Sequence, residues 1–220
     1  MAASVWLGLA AVVFSPGGRL DAAGPGGTVE GHSPFVSVNS GVTNLSASAR
    51  ISYLDVYNSA TVNSLGATVS WANLYGDSSV NVHRGSQISW LLLHDRASAA
   101  IHGGTISWVK LFDASQAHFR SAADISWVLL NRQAQAHFYG RTFQYSRGIL
   151  SGVWLDGRSF SLWAVNEADL HAGNISSTMP SGLRLHIVPE PAGAALAAGA
   201  AAALWRSGRR RRKCTPRVSG

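Results

Sequence analysis

The chain has 220 residues, of which 18 are Lys or Arg and 11 are Asp or Glu, so its formal net charge is +7. Seven of the basic residues lie between Arg206 and Arg217, which leaves residues 1–205 with eleven basic and eleven acidic side chains. Because a nucleic-acid-binding domain carries its basic residues on a folded face, this distribution argues against a nucleic-acid partner. The single cysteine, Cys214, excludes an intramolecular disulfide and a cysteine-based zinc site, and no motif calls for a cofactor.

The N-terminal residues have the composition of an export signal. Val5–Phe14 is an uninterrupted apolar run that matches the core of a signal peptide in length and is too short to span a bilayer. Small residues follow it, including Ala22 and Ala23, although no Lys or Arg precedes it. We predict a signal peptide and linker over residues 1–27, and a disordered segment or a buried N-terminal strand is the alternative interpretation.

A repeat of 18 to 19 residues occupies the middle of the chain. Each copy carries the marker Ile/Val-Ser-aromatic, and the aromatic residues are separated by 18, 19, 18 and 19 positions. They are Tyr53, Trp71, Trp90, Trp108 and Trp127. We use the word column for positions that lie at the same distance from the aromatic residue in successive copies. Five columns are apolar with few exceptions, and they lie two before, one after, three after, nine after and eleven after the aromatic residue.

Within each copy, the apolar columns alternate with columns that are often polar. Alternation with period two is typical of a strand with one buried face, and a repeat this short cannot hold two helices. We therefore predict an all-β fold, a β-solenoid or β-helix with 18–19-residue turns over residues 35–140, in which each turn stacks on the next. The repeat decays from Gly140, and residues 141–187 are predicted to form an irregular β cap.

The tryptophans are expected at a corner of the solenoid. The apolar columns two before and one after each aromatic residue are an odd number of positions apart, which uninterrupted alternation cannot place on one face. A change of direction at the Ser-Trp pair resolves this and predicts a partly exposed aromatic column. Its rings could stack on sugar faces, or they could fold over the corner and stabilise the strands on their own. The candidate sugar-stacking residues are Trp71, Trp90, Trp108 and Trp127.

Histidine also recurs in register. His83 and His102 occupy equivalent positions in adjacent turns, as do His118 and His137, and adjacent turns lie about 4.8 Å apart. Two imidazoles with no carboxylate at a fixed offset make a weak metal site. We therefore interpret both pairs as parts of a solvated outward column and predict no metal site.

Aspartate recurs at the predicted corners. Asp77, Asp95 and Asp113 could imitate the stacked carboxylates of polysaccharide-cleaving β-helices. Aspartate is also a turn-forming residue, because its side chain accepts hydrogen bonds from nearby backbone amides. Turn formation is the simpler interpretation, and no feature of the repeat distinguishes one turn as an active site. We therefore predict no catalytic residue.

The C-terminal segment has three parts. It opens with the short extended element Val188, Pro189, Glu190 and Pro191, and residues 192–205 are only Ala, Gly, Leu and Trp. A helix over 192–205 would be about 21 Å long, less than the roughly 30 Å of the hydrocarbon core. A basic cluster follows, of a kind that is held on the cytoplasmic side of a membrane. It consists of Arg206, Arg209, Arg210, Arg211, Arg212 and Lys213.

This order of parts resembles the PEP-CTERM sorting signal of Gram-negative bacteria over residues 188–213, with Pro189, Glu190 and Pro191 in the place of its defining motif. The resemblance implies recognition and cleavage by an exosortase at the inner membrane, and then delivery to the cell envelope surface or the extracellular matrix. The chain differs from the pattern in its short Ala-rich helix and in the tail 214–220. Proteins with this signal are associated with exopolysaccharide-producing, biofilm-forming bacteria.

Together, these features predict an exported structural or adhesive protein of the cell surface or matrix, without catalysis. Its expected partners are an exosortase, the inner membrane during sorting, and exopolysaccharide or like chains. The alternative is a carbohydrate-binding module or a polysaccharide lyase-like β-helix. The tryptophan column separates the two hypotheses, because exposed rings favour sugar binding and buried rings favour a purely structural role.

Overall fold

The computed structural model describes residues 19–22, 26–121 and 123–189 as an all-β protein. The chain divides into two units, Met1–Ile187 and Val188–Gly220, and all the described strands belong to the first. That unit is a β-solenoid of about six turns, which confirms the all-β solenoid part of the predicted fold class. A typical turn contains one long strand of seven or eight residues and one short strand of four residues.

The long strands form one parallel stack and the short strands form a second, with equivalent residues hydrogen-bonded from turn to turn. The long-strand stack contains β1 (Arg19–Ala22), β3 (His32–Val38), β5 (Arg50–Val56), β7 (Thr68–Leu74), β9 (Gln87–Leu93), β11 (Gly104–Leu111), β13 (Ala123–Leu130) and β16 (Ser159–Asn166). The short-strand stack contains β2 (Gly27–Val29), β4 (Val42–Leu45), β6 (Thr61–Ser64), β8 (Ser79–Val82), β10 (Ser98–Ile101), β12 (Gln116–Phe119), β14 (Gln135–Ser146) and β17 (Leu183–Ile187).

The predicted apolar columns form the core. Leu93 is completely buried and lies in register between Leu74 and Leu111, which are equally buried. The residues of the other four apolar columns are buried as well, and Ser64, which interrupts one of them, is buried and donates to Ser86 Oγ at 2.9 Å. Each turn therefore contributes the same few side chains to one continuous core, as the alternating pattern predicts.

The predicted corner at the Ser-Trp pair is a bend inside each long strand. In β7, Val69 and Ala72 are buried, whereas Ser70 and Trp71 between them are both exposed. Two successive outward residues break the alternation of an extended strand. The strand pairing also omits the serine of each turn while it keeps the tryptophans in register. The bend turns the second half of the strand, so that both halves face the same core.

A tight turn joins each long strand to the next short strand. Its second residue takes the left-handed backbone conformation, which Gly, Asn and Asp adopt at least cost. These residues, with their φ angles, are Asn58 (58°), Gly76 (69°), Asp95 (55°), Asp113 (53°) and Arg132 (51°). Only a small side chain fits inside this corner two positions later. The column there is Ala60, Ser78, Ala97, Ser115 and Ala134, all buried.

The predicted cap, 141–187, contains a hairpin and a continuation of both stacks. The long β14 turns back into β15 (Ile149–Trp154), which pairs antiparallel with β14 and with β16. β16 then pairs parallel with β13 and β17 with β14, and the short helix α1 (Glu167–His171) lies between them in the chain. The hairpin covers the free edge of β16, which would otherwise invite pairing with another chain.

The solenoid also begins earlier than the predicted residue 35. β1 pairs in parallel with Phe35–Val38, and β2 pairs with β4, so strands of both stacks precede that boundary. Residues 19–22 therefore belong to the solenoid, although the sequence suggested a linker there. The first 18 residues, which contain the predicted signal-peptide core, lie outside the described part of the chain.

Candidate ligand-binding surface

The four predicted tryptophans form a stacked column along the solenoid. The ring centroids of successive tryptophans are 4.9–5.0 Å apart, and their planes differ by only 6–8°. Trp163 of β16 extends the column beyond Trp127, with the two centroids 5.0 Å apart and the planes 9° apart. The strand register requires this stack, because equivalent residues in parallel neighbours lie directly above one another.

These rings are partly exposed, as the bend predicts, and their edges rather than their faces are open to ligands. Trp71 is 36% exposed, and the other four rings are half-buried. A sugar ring stacked on an indole face needs about 3.5–4 Å on each side, so it cannot enter between two rings about 5 Å apart. Sugar stacking by the four predicted residues thus stays a prediction, and edge contacts are the mode that the inner rings allow.

A polar groove lies beside the tryptophan column. Its floor includes Gln87, Thr105 and Asp124, which are in register on three successive long strands, three positions before their tryptophans. Its opposite wall includes Asp156 and Arg158, from the turn between β15 and β16. The groove has a volume of about 650 Å³ and is open along one side. Three successive turns therefore present hydrogen-bonding side chains to one elongated cleft.

The charges in this groove balance, and three of the four charged groups form ion pairs. Asp156 Oδ2 is 3.7 Å from Arg84 Nη2 and 3.3 Å from Arg158 Nε, so one carboxylate bridges the solenoid and the hairpin turn. Asp124, on the groove floor, is exposed. Two arginines and two aspartates leave the lining with no net charge. A neutral ligand rich in hydroxyl groups fits such a lining better than a highly charged one.

A second, smaller groove of about 350 Å³ lies at the C-terminal end of the tryptophan column. Trp127, Ser126 and Trp163 line one part of it, and Ile149 at the start of β15 lines another. Ile149 is 37% exposed, so this groove supplies an apolar contact beside the indole edges. The two grooves share the hairpin as a wall, and the hairpin gives an otherwise uniform surface a distinct end.

The three aspartates do not form the carboxylate column that the lyase hypothesis would need. Asp95 and Asp113 occupy the left-handed position of the turn, whereas Asp77 lies one position later in its own turn. Asp77 accepts two hydrogen bonds of 2.7 Å from Arg96, which lower the pKa of its carboxyl group. Asp95 Oδ2 accepts from the Gly76 amide at 2.9 Å. These contacts support the turn-forming interpretation.

Asp113 has a comparable role. Its Oδ1 accepts a hydrogen bond of 2.9 Å from Arg132 Nη1 in the next turn. Each of the three carboxylates thus ties one turn to its neighbour, and Asp113 and Arg132 share the left-handed position of their turns.

The two predicted histidine pairs are stacked pairs. The ring centroids of His83 and His102 are 5.5 Å apart, and those of His118 and His137 are 4.5 Å apart. Burial first, and neighbouring cationic groups second, lower the pKa values of His102, His118 and His137. Within the described residues, no group of three or more His, Cys, Asp or Glu has the geometry to hold a metal ion.

The predicted sorting signal is described only at its start. Val188 and Pro189 follow β17, and both are exposed. Glu190, Pro191, the apolar segment 192–205, the basic cluster and the tail 214–220 lie outside the described residues. Among the residues that the structure does describe, no helix is long and apolar enough to cross a membrane.

No protein-family model matches this chain, and neither a curated protein nor a solved structure matches it. The surface must therefore be interpreted from its own geometry. Sequence reasoning missed Trp163 and the hairpin wall formed by Asp156 and Arg158. One signal for Trp163 was available, since it follows Trp127 by 36 positions, which is twice the 18-residue repeat.

Proposed function

We propose that this chain is an exported structural or adhesive protein of the bacterial cell surface or extracellular matrix, and that it performs no catalysis. The observation that carries the proposal is the stacking of equivalent core and tryptophan side chains from turn to turn. A structural rod needs the same contacts in every turn, whereas an active site needs one turn that differs chemically from the others.

The outward columns support this role because they strengthen the contacts between turns. Asn63 Nδ2 donates to Asn44 Oδ1 at 2.8 Å, and Asn81 Nδ2 donates to Asn63 Oδ1 at 2.9 Å. A second aromatic column runs along the turns, and its ring centroids are 4.6–5.1 Å apart. It consists of Tyr57, Tyr75, His94 and Phe112. Six turns at about 4.8 Å each make a rod roughly 30 Å long.

The sorting part of the proposal depends on the sequence alone. Residues 188–191, the apolar segment and the basic cluster stand in the order of a PEP-CTERM signal, and an exosortase would cleave near Pro191. The mature protein would then consist of the solenoid released from the inner membrane. The predicted N-terminal export signal would bring the chain to that membrane first.

The test of sorting is expression of the full chain in a Gram-negative host that contains an exosortase, beside the same host without it. Mass spectrometry of the surface fraction should find a C-terminus near Pro191 only in the first host. Glu190→Ala should abolish the processing, and the control Glu30→Ala, which changes an exposed acid of the solenoid, should not. Surface molecules that mostly retain the Arg209–Lys213 peptide would contradict the proposal.

The second candidate function is binding of an extended glycan, and the polar groove beside the tryptophan column favours it. The groove runs across three turns, and one sugar residue of an extended glycan is about as long as one turn-to-turn step. Hydroxyl groups would meet Gln87, Thr105 and Asp124, while the apolar edges of the sugars would meet indole edges.

Tryptophan fluorescence with exopolysaccharide from the producing organism tests this candidate. Bound glycan should reduce quenching by acrylamide, and Asp124→Ala should weaken that protection. Asp113→Ala, at a corner outside the groove, is the matched control and should leave it unchanged. If bound glycan reduces acrylamide quenching in both variants as much as it does in the parent protein, the groove is not the binding site.

A further inference from the structure

The short-strand stack carries an outward row of histidines that the structural role does not require. One histidine comes from each of five successive turns, those of β8, β10, β12, β14 and β17. These residues are His83, His102, His118, His137 and His186, and we call them, together with Arg120 and Arg184, the histidine face. Four turn-to-turn steps of about 4.8 Å make this face about 19 Å long.

The histidines are in contact within two groups, one of two rings and one of three rings. His83 stacks on His102, His118 stacks on His137, and the ring centroids of His137 and His186 are 5.3 Å apart. His137 Nδ1 and His186 Nε2 are 3.0 Å apart and share a hydrogen bond. The column also shifts by two positions between β10 and β12, which keeps all five rings on the outward side of the strands.

Cationic groups lie beside these rings, and the described strands that carry them contain no carboxylate. The five short strands and the residues that directly follow them, 79–85, 98–104, 116–121, 135–141 and 183–187, contain no Asp or Glu. The charged groups that act on the histidines are other histidines, Arg120 and Arg184. Arg84 lies at the margin of the face, where its guanidinium is 3.7 Å from Asp156. Residues 1–205 carry no net charge, so the acidic residues that balance the basic groups of this face lie elsewhere in the chain.

We propose that the histidine face is a pH-dependent binding site for a linear polyanion with regularly spaced carboxylates, such as a polyuronate. Burial and neighbouring cationic groups lower the pKa values of His102, His118 and His137, so these imidazoles are uncharged near neutral pH, and Arg120 and Arg184 are the cations beside them. In mildly acidic medium these three imidazoles gain protons, and the face then carries additional cations at a turn-to-turn spacing of about 4.8 Å.

The contacts within the row explain why an anion is needed. A protonated imidazole has two donors and no acceptor, so full protonation breaks the hydrogen bond between His137 and His186. Stacked imidazolium rings also repel each other. Carboxylates placed along the row would accept the new N–H donors and screen the repulsion. A polymer with one carboxylate per sugar can do this at every turn, because one sugar residue spans about one turn.

This inference goes beyond the proposed function, since it requires the folded solenoid and not the sorting signal. The test uses the full chain and alginate, a linear polyuronate whose carboxylates remain ionised at about pH 5 and at about pH 8. Calorimetric titration in the presence of EDTA should give an affinity about tenfold or more higher at the lower pH, and added salt should weaken it. Dextran, a neutral glucan, should show no difference in affinity between the two pH values.

Variants locate the site. His118→Gln, His137→Gln and His186→Gln combined should remove the pH dependence, whereas His94→Gln, in the Tyr75–His94–Phe112 stack away from this face, should preserve it. Proton uptake is a second readout that needs no variant. Repeating the wild-type titration in buffers of different ionisation enthalpy should show net uptake of protons when alginate binds.

Any of five results would overturn the proposal. The first four are equal affinity at both pH values, no net proton uptake, equal loss in His94→Gln and in the triple variant, and pH-dependent binding that appears only when Zn²⁺ replaces EDTA. The fourth result would identify a metal centre. Tighter binding of duplex DNA than of alginate at equal charge concentration would also overturn it, because the site would then be a nucleic-acid surface. Failure of exosortase processing has no bearing on these results.

Discussion

Replacing one core leucine should show which face of each strand is buried. Leu93 lies in β9, is completely buried, and is in register with the buried Leu74 and Leu111. Leu93→Ala should lower the free energy of unfolding by about 2–5 kcal/mol, because it removes apolar contacts and leaves a cavity between two turns. Leu93→Asp adds an unpaired buried carboxylate, so its total cost should exceed about 5 kcal/mol and approach the whole stability of a domain.

The neighbouring residue provides the control. Leu92 points outward and is half-buried, and its in-register neighbours are Asn73 and Lys110. Leu92→Asp should therefore change the free energy of unfolding by less than about 1 kcal/mol, since the new carboxylate stays in contact with water. Urea unfolding followed by far-UV circular dichroism measures all three variants. If Leu92→Asp costs as much as Leu93→Asp, or if Leu93→Asp leaves the midpoint unchanged, the assigned register is wrong.

Three further predictions concern the surface. Glu167→Gln should cost about 1–3 kcal/mol in urea unfolding, because Glu167 accepts hydrogen bonds from Lys110 and Asn131. The depressed pKa values of His118 and His137 should make thermal stability fall as the pH drops below about 6.5, because the unfolded chain binds those protons more tightly. Acrylamide should quench the tryptophan column to an intermediate extent, and Trp154→Phe, at a buried ring, should leave that quenching unchanged.

The contribution of Glu167 to stability also depends on pH, but here folding favours the charged form of the side chain, whereas at His118 and His137 it favours the neutral form. Burial raises the pKa of this carboxyl group, but the hydrogen bonds from Lys110 and Asn131 outweigh burial and lower it below 4.5. Stability from Glu167 is therefore complete above that value and is lost as the pH falls through the lower folded pKa. A Glu167→Gln protein that loses stability between about pH 5 and pH 3 as steeply as the parent protein would contradict this assignment.

The repeat made the solenoid predictable from sequence. In a stack of equal turns, each residue contacts the equivalent residue 18 or 19 positions away. The period of the repeat in the sequence therefore predicts these long-range contacts. The buried columns, the bend at Ser-Trp and the stacked tryptophans all follow from that period. The left-handed Asp95 and Asp113 follow from turn chemistry in the same way.

Other features do not follow from the 18–19-residue repeat, and only the tertiary structure determines them. The hairpin around β15 interrupts the repeat, and the place where β16 returns to the stack depends on antiparallel pairing that no column predicts. That return adds Trp163 to the tryptophan column, brings Asp156 to Arg84, and sets Glu167 against Lys110. Such contacts join residues at unrelated separations in the chain, and only the packing of the last turns determines which of them meet.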